Sequence, residues 1–383
     1  MKEEIILNVE QSSFIPVVQM AASVTSSSRG SFVSENLLDR IKLDLRGDTL
    51  TVSAIDHAMY YQGQVSCDSC NQDVLFTCLL PAKLAETVKS LNLEKGLTLR
   101  FNSKAVIEDG QSRVALGLQD SGSYLDTAFK VEEWDVECEV ERITLVKALN
   151  YAHQASRRHS TSAVAEVFQS ICIEIGAKKG ITVWATDTHR IHVVSLEASL
   201  EASHEIKVLV PEAATKAILR FLKKSNEKIQ ININSQFIRF ADSRQSLTVR
   251  LTQGELPDCR TLIAQIEPTG EVRVSLADLI HALQLASALF RSDEAKPTTL
   301  SFRKGGELAI SASRKTDEVS TTISFDGGFE LNIMVDAGYF LDALLGIDGD
   351  MVILRIQDRD TPFFICPKNN DGALAVIAPI LDD

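Results

Sequence analysis

Two clusters in the chain combine side chains that could do chemistry. Residues 182–194 read TVWATDTHRIHVV, which crowds Thr186, Asp187, Thr188, His189 and Arg190 between two apolar runs. Asp187 and His189 stand at i and i+2, on one face of an extended chain, and a carboxylate beside an imidazole is the start of a general-base pair. The second cluster is CDSC at 67–70, where Cys67 and Cys70 could act as a redox pair or supply half of a zinc site. Neither cluster is complete. No Ser, Cys or second carboxylate is spaced to finish a nucleophilic site around His189. A structural zinc site needs four ligands, and Cys78 is the only further candidate near the pair. SSSRGS at 26–31 lacks the Lys-Ser/Thr ending of a phosphate-binding loop. The expectation is a satisfied polar pair and free thiols, with metal and cofactor both absent and no catalysis.

The elements that must position these residues belong to an ordinary globular chain. Its 383 residues are 45% hydrophobic and 24% charged, enough for two or three domains and unlike a disordered protein. The start MKEEIILNVEQ carries no basic segment before an apolar one, and no apolar run approaches the roughly 18 residues of a membrane span, so a soluble cytoplasmic protein is expected. Seven cysteines spread thinly do not resemble a disulfide framework. The net charge of −13 argues against a protein that coats nucleic acid with its whole surface, yet leaves room for one basic face.

Self-similarity organises the rest. LTVSAID (50–56), ITVWATD (181–187) and LAISASR (308–314) are strand-like and recur about every 130 residues. LLPAKLAETVKSL, LVPEAATKAILRFL and IMVDAGYFLDALLG each run from an apolar strand into an amphipathic helix, with Pro81 and Pro211 expected at the helix start. A third series is helical: Phe14, Val17, Val18 and Ala21; Val146, Leu149 and His153; Leu276, Leu279, Ile280 and Leu283. The fold class is therefore α+β, with three similar tandem domains at 1–136, 137–268 and 269–383. Pro16 conflicts with the first helix unless it lies within the first turns.

Charge distinguishes the middle domain. In PEAATKAILRFLKKSNEK, Ala214, Ala217, Ile218, Phe221 and Leu222 form an apolar stripe, while Lys216, Arg220, Lys223 and Lys224 share another face. Lys147, Gln154, Arg157 and Arg158 flank the other helix of that domain. A charge run is usually a solvated face; two basic helices in one domain of an acidic protein favour a polyanion.

These residues resemble the bacterial DNA polymerase III beta subunit family, the beta sliding clamps. The resemblance rests on the triplication, on ATDTHRI against Ala-Thr-Asp-Gly-His-Arg-Leu, on VLVP before the second helix of the middle domain, on GELPDCR against Gly-x-Phe-Pro-Asp-Tyr-Arg, and on AVIAPI near the end. It implies three domains of the DNA clamp fold, and two chains closed head to tail in a ring, with helices lining a central pore and sheets on the outer rim. Double-stranded DNA threads such a ring through phosphate contacts without base readout.

The same resemblance implies partners and sites. Polymerase III alpha subunit, clamp loader and repair proteins would dock a short apolar motif in a pocket of Phe168, Thr186, Thr188, His189, Arg190, Ile191, Pro257, Leu262, Val376, Ile377, Pro379 and Ile380. DNA would meet Lys147, Arg158, Lys216, Arg220, Lys223 and Lys224. Val114 and Leu116 on one sheet edge would meet Leu289 and Phe290 on another across a homodimer interface. Thr188 stands where the family usually has Gly, Thr261 where Arg is common, and Ala378 and Ile380 where Met is frequent, which implies a stiffer, more selective pocket of a divergent member. The alternatives are a monomeric peptide-binding scaffold without a ring, and a Cys-x-x-Cys redox or zinc protein.

Overall fold

The structure is a computed structural model, and it describes residues 4–25, 37–69, 75–91, 96–122, 124, 126–156, 166–176, 180–197, 199–200, 205–368 and 372–381. Two strand-to-helix passages recur three times. Strand Ile5–Val9 leads into α1 (Gln11–Val24) and Leu75–Pro81 into α2 (Leu84–Lys89). Val136–Glu141 leads into α3 (Arg142–Ser156) and Ile206–Pro211 into α4 (Glu212–Lys223). After the short α5 (Cys259–Ala264), Gly270–Ser275 leads into α6 (Leu276–Ser287) and Leu331–Asp336 into α7 (Ala337–Leu344).

Local chemistry explains several helix starts. The Ser275 hydroxyl accepts the Asp278 N–H, and the Asp336 carboxylate accepts the N–H groups of Gly338 and Tyr339, satisfying donors that a helix start leaves open. Contrary to the sequence expectation, Pro81 and Pro211 are not the first helical residues; each closes the preceding strand, where its missing N–H costs no ladder bond at the strand end. Pro16 falls in the second turn of α1. The buried faces follow the apolar spacing: Phe14, Val18 and Ala21 in α1, Leu149 and His153 in α3, and Leu276, Leu279 and Leu283 in α6. In α4, Ala214, Ala217, Ile218, Phe221 and Leu222 are buried, each large one contributing about 1.5–3 kcal/mol.

The chain packs as two compact units, residues 1–142 with 216–251, and residues 143–215 with 252–383. In the first unit, one antiparallel sheet runs from Leu75–Pro81 through Arg40–Arg46 and Thr49–Ile55 to Met59–Ser69. The long strand Met59–Ser69 then has two neighbours. Its end pairs with Ile5–Val9, which continues to Leu97–Phe101, Lys104–Glu108 and Arg113–Gly117. Its beginning pairs with Gln245–Arg250, in the register Met59↔Val249 to Gly63↔Gln245, which continues to Phe237–Ala241, Lys228–Ile233 and Val136–Glu141.

The second unit repeats this plan. Ile206–Pro211, Ser170–Gly176, Gly180–Thr186 and Arg190–Leu196 pair in that order. Arg190–Leu196 then pairs with Ala373–Ile377 in the register Arg190↔Ile377 to Val194↔Ala373. The sheet continues through Phe363–Pro367, Met351–Ile356, Gly270–Ser275, Asp317–Asp326, Glu307–Arg314, Pro297–Arg303 and Leu331–Asp336. The strands containing LTVSAID, ITVWATD and LAISASR thus hold equivalent places, next to the strand that carries the sheet onward.

Candidate functional site

The second unit contains a cavity of about 530 Å³ on the join between Arg190–Leu196 and Ala373–Ile377. Phe168, Thr186, Thr188, His189, Arg190, Ile191, Pro257, Leu262 and Val376 line it, nine of the twelve residues expected, and Cys259, Ile263, Ile266, Pro362 and Ala378 join them. Beneath lies an apolar cluster that includes Trp184, Leu209, Leu256 and Phe364. Leu262 is 51% exposed, an apolar side chain held at the cavity mouth. Ile377, Pro379 and Ile380 are not among the lining residues. Successive side chains of a strand point to opposite faces, so with Val376 toward the cavity Ile377 turns into the core, where it is fully buried. The tail is drawn onward by the Ile380 N–H, which donates to the Met334 carbonyl at 2.8 Å.

Hydrogen bonds determine the shape of the 186–190 turn. The Thr186 hydroxyl donates to the Arg190 carbonyl at 2.7 Å and accepts the Thr188 N–H at 3.2 Å, while Asp187 Oδ1 accepts the His189 N–H at 3.2 Å. This network holds Thr188 at φ 81°, a left-handed conformation that a β-branched residue adopts only under strain. Arg190 is buried; its Nε donates to Asp187 at 2.9 Å and its Nη1 to Asp342 of α7 at 2.7 Å. The Tyr339 ring centroid lies 4.4 Å from the Arg190 guanidinium carbon, and the ring stacks on that of His189 at 6.0 Å between centroids. The Asp187 carboxylate is thereby committed to Arg190 and a backbone N–H, and the His189 ring to Tyr339, so the Asp/His pair does not assemble as a general-base dyad. On the far side, Asp258 caps α5 and accepts the Thr261 hydroxyl at 2.6 Å, which with the backbone N–H groups of Thr261 and Arg260 holds its carboxyl below the usual range.

The basic candidates divide into two groups. Lys216, Arg220, Lys223 and Lys224 are exposed on and just after α4. Lys224 Nζ donates to Gln19 Oε1 at 3.0 Å, and partial burial followed by the neighbouring Arg220 charge lowers its pKa. Lys147 is paired with Asp348 at 2.6 Å in the open, an ion pair that competes with any phosphate. Arg157 and Arg158 lie outside the described residues. By contrast α6 and α7 carry no Lys or Arg, and α6 exposes Asp278.

The expected interface residues fall in two different settings, and one of the two expected sheet edges is not an edge. Arg113–Gly117 is an edge strand, and Val114 is half-buried on it, but Leu116 is already 5% exposed within the chain, packed inward opposite Ala105. Leu289 and Phe290 do not sit on a strand edge; they follow α6 in a turn. The second open edge is Asp317–Asp326, whose only other neighbour, Gly270–Ser275, pairs at Phe325 and Asp326, leaving 317–324 without a strand on that side among the described residues.

The described cysteines, Cys67, Cys78, Cys138, Cys172, Cys259 and Cys366, are free thiols. Cys67 is buried and desolvation, then the charges of Asp48 and Asp68, push its thiol up to about 11, away from the reactive thiolate. Cys70 and residues 26–31 lie outside the described residues, and among the described residues no group of three His, Cys, Asp or Glu side chains could hold a metal ion. No helix among those residues is long and apolar enough to cross a membrane.

A strand–helix unit written three times, sheets joined across the repeats, and an apolar pocket on one join define a protein of the DNA clamp fold. Residues 147–258 match the family model for the central domain of the DNA polymerase III beta subunit. The beta sliding clamp of Staphylococcus epidermidis is 28% identical over 203 residues, 51% of this chain and 52% of that protein. That of Bacillus subtilis is 27% identical over 199 residues, with the same shares, so the chain spans about half the length of the curated relatives it matches. Among solved structures, the sliding clamp of Pseudomonas aeruginosa superposes with a TM-score of 0.88 at 19% identity, covering 99% of this chain and all of that one. The Bacillus subtilis clamp gives 0.86 at 20% identity over the full length of both. The middle of the chain is thus similar to the central domain of DNA polymerase III beta subunits, and the whole chain shares the fold of the solved sliding clamps.

Proposed function

We propose that the protein is a DNA sliding clamp: a homodimeric ring, three domains per chain at 1–136, 137–268 and 269–383, that encircles duplex DNA and tethers the replicative polymerase. Its other partners are the clamp loader and repair proteins carrying a short apolar motif, and it acts in the cytoplasm as a processivity factor without catalysis of its own. The observation that carries this reading is the pair of open sheet edges. Met59–Ser69 receives Gln245–Arg250, and Arg190–Leu196 receives Ala373–Ile377, in equivalent registers. Asp317–Asp326 is the third strand of the receiving kind, and Arg113–Gly117 the third of the received kind; each is open among the described residues.

Two copies satisfy both edges by pairing Arg113–Gly117 of one chain with 317–324 of the other, a head-to-tail contact that closes after two. Register follows from the turns. Asp109 and Asp242 accept equivalent backbone N–H groups at the start of their hairpins, which makes Val114 the counterpart of Leu247. Leu247 faces Tyr61, which pairs with Ala54, as Val319 pairs with Ala312. Val114 therefore stands opposite Val319. Helix α4 fits a surface that touches phosphates without reading bases, and the cavity fits an apolar peptide anchor. The test is light scattering combined with retention on circular DNA: a dimer that stays on closed circles and slides off linear ones is expected, and a monomer at low micromolar concentration would end the ring proposal.

A further inference from the structure

The first unit contains a copy of the pocket's framework, and it is shut. The Ala378 N–H donates to the His189 carbonyl at 2.9 Å; the Arg250 N–H donates to the Ala58 carbonyl at 2.7 Å, one residue past the corresponding strand pair. Ala378 and Arg250 are therefore equivalent positions. The connections that follow each repeat also begin alike, with Leu209 bridged to Thr252 and Leu79 bridged to Gln119. Counting from those bridges brings Phe129 to the place of Leu262, and the inter-repeat ladders bring Tyr60 to the place of Ile191 and Phe237, the partner of Arg250, to the place of Pro362.

The four substitutions all run from small to large. Phe129 stacks on Tyr60 at 6.1 Å between centroids and tilts against Phe237 at 5.2 Å. The exposed Arg250 side chain lies over both rings, its guanidinium carbon 5.5 Å from Phe129 and 5.2 Å from Phe237. Phe129 is 6% exposed, whereas its counterpart Leu262 is 51% exposed beside open space. We propose that this join is a second, shuttered docking groove for apolar-anchored peptides, filled by Tyr60, Phe129 and Phe237 and covered by Arg250. Arg250 is the part that can move, since an exposed cation over aromatic faces is held only weakly while its side chain is solvated on the other side. The groove opens when that cover and the Phe129 ring are trimmed.

The inference rests on the reading of the open pocket as a peptide site, and the test separates the two. The probe is the synthetic peptide acetyl-Gly-Ser-Leu-Ala-Leu-Phe-amide, titrated calorimetrically into the full chain. Wild type is expected to take one peptide per chain, Ala378→Arg none, and the Arg250→Ala, Phe129→Leu double variant two. The triple combination of all three is expected to take one. Circular dichroism and light scattering establish that each variant keeps its fold and mass; Arg250→Ala alone trims only an exposed side chain and should show the second site at lower affinity if the double variant does not fold. One peptide on wild type and still one on the folded variants overturns the shuttered groove. None on wild type with one on the double variant overturns the reading of the open pocket and upholds the groove; none on either overturns both.

Discussion

Arg190 Nη1 donates to Asp342 Oδ2 at 2.7 Å, tying the strand that forms one wall of the pocket to α7. The guanidinium is buried and Nη2 has no hydrogen-bond partner among the described residues, where Asp187 and Asp342 are the carboxylates that pair with it. Removing one partner of a buried pair leaves an uncompensated charge, which costs more than the pair contributes. Asp342 is partly solvated, so Asp342→Ala should destabilise by about 2–3 kcal/mol, below the value for a fully dry pair. Urea unfolding measures it. A loss within a few tenths of a kcal/mol would mean that water already shares the guanidinium.

Acid should weaken the fold through His192. It is fully buried, its Nδ1 lies 2.9 Å from the Tyr151 carbonyl, and desolvation pushes its pKa down to about 3. The folded state keeps the ring neutral while the unfolded chain protonates near pH 6.5, so the unfolded state binds more protons below that pH. The stability is full above about 6.5 and falls as pH drops toward about 3, with a limiting slope of about 1.4 kcal/mol per pH unit from this group. His192→Gln should flatten the dependence between pH 6.5 and 4.5. An unchanged slope in thermal melts would assign the acid sensitivity elsewhere.

Charge reversal across the proposed interface gives a repairable lesion. Val114→Asp with Val319→Asp places like charges directly opposite and should yield monomers, whereas Val114→Lys with Val319→Asp should restore the dimer. Both positions are half-exposed, so the chain itself should stay folded. Dimers in the first variant would rule out this register.

Residence on circular DNA should depend on α4. Lys216, Arg220 and Lys223 changed together to Glu should shorten it and reduce the salt slope by up to about three, near one per lost phosphate contact. Lys147→Glu should do less, because Lys147 already holds Asp348. Equal effects from the two would contradict this division of the basic residues.

Thr188→Gly should stabilise the chain and reshape the pocket. Glycine relieves a left-handed strain of about 1–2 kcal/mol but adds freedom to the unfolded chain, leaving a net gain of about 0.5–1 kcal/mol. Micromolar binding of an apolar peptide, about −7 to −8 kcal/mol, is expected at this pocket. Leu262→Asp should weaken it at least about tenfold, or 1.4 kcal/mol, because its side chain stands at the mouth. A melting temperature of Thr188→Gly below that of wild type would show that the threonine side chain makes a contact worth more than the strain.

The linear order of residues was enough to write the strand–helix unit three times, because apolar spacing at 2 and 3.6 residues is a local property that survives in any packing. It also marked the exposed basic face of α4, whose buried and exposed positions are fixed by the helical period. Side-chain direction near Ile377 was beyond it, since alternation can be counted only once the pairing with Arg190–Leu196 is known. The inward turn of Leu116, the pairing of Lys147 with Asp348 and the commitment of Asp187 to Arg190 are likewise contacts between distant segments. Tertiary structure alone decided why one join is open and its copy shut: Ile191, Leu262, Pro362 and Ala378 lie far apart in the chain, as do Tyr60, Phe129, Phe237 and Arg250. Whether four such side chains fill a space or leave it empty depends on their summed volume at one place, a quantity that exists only after the strands have met.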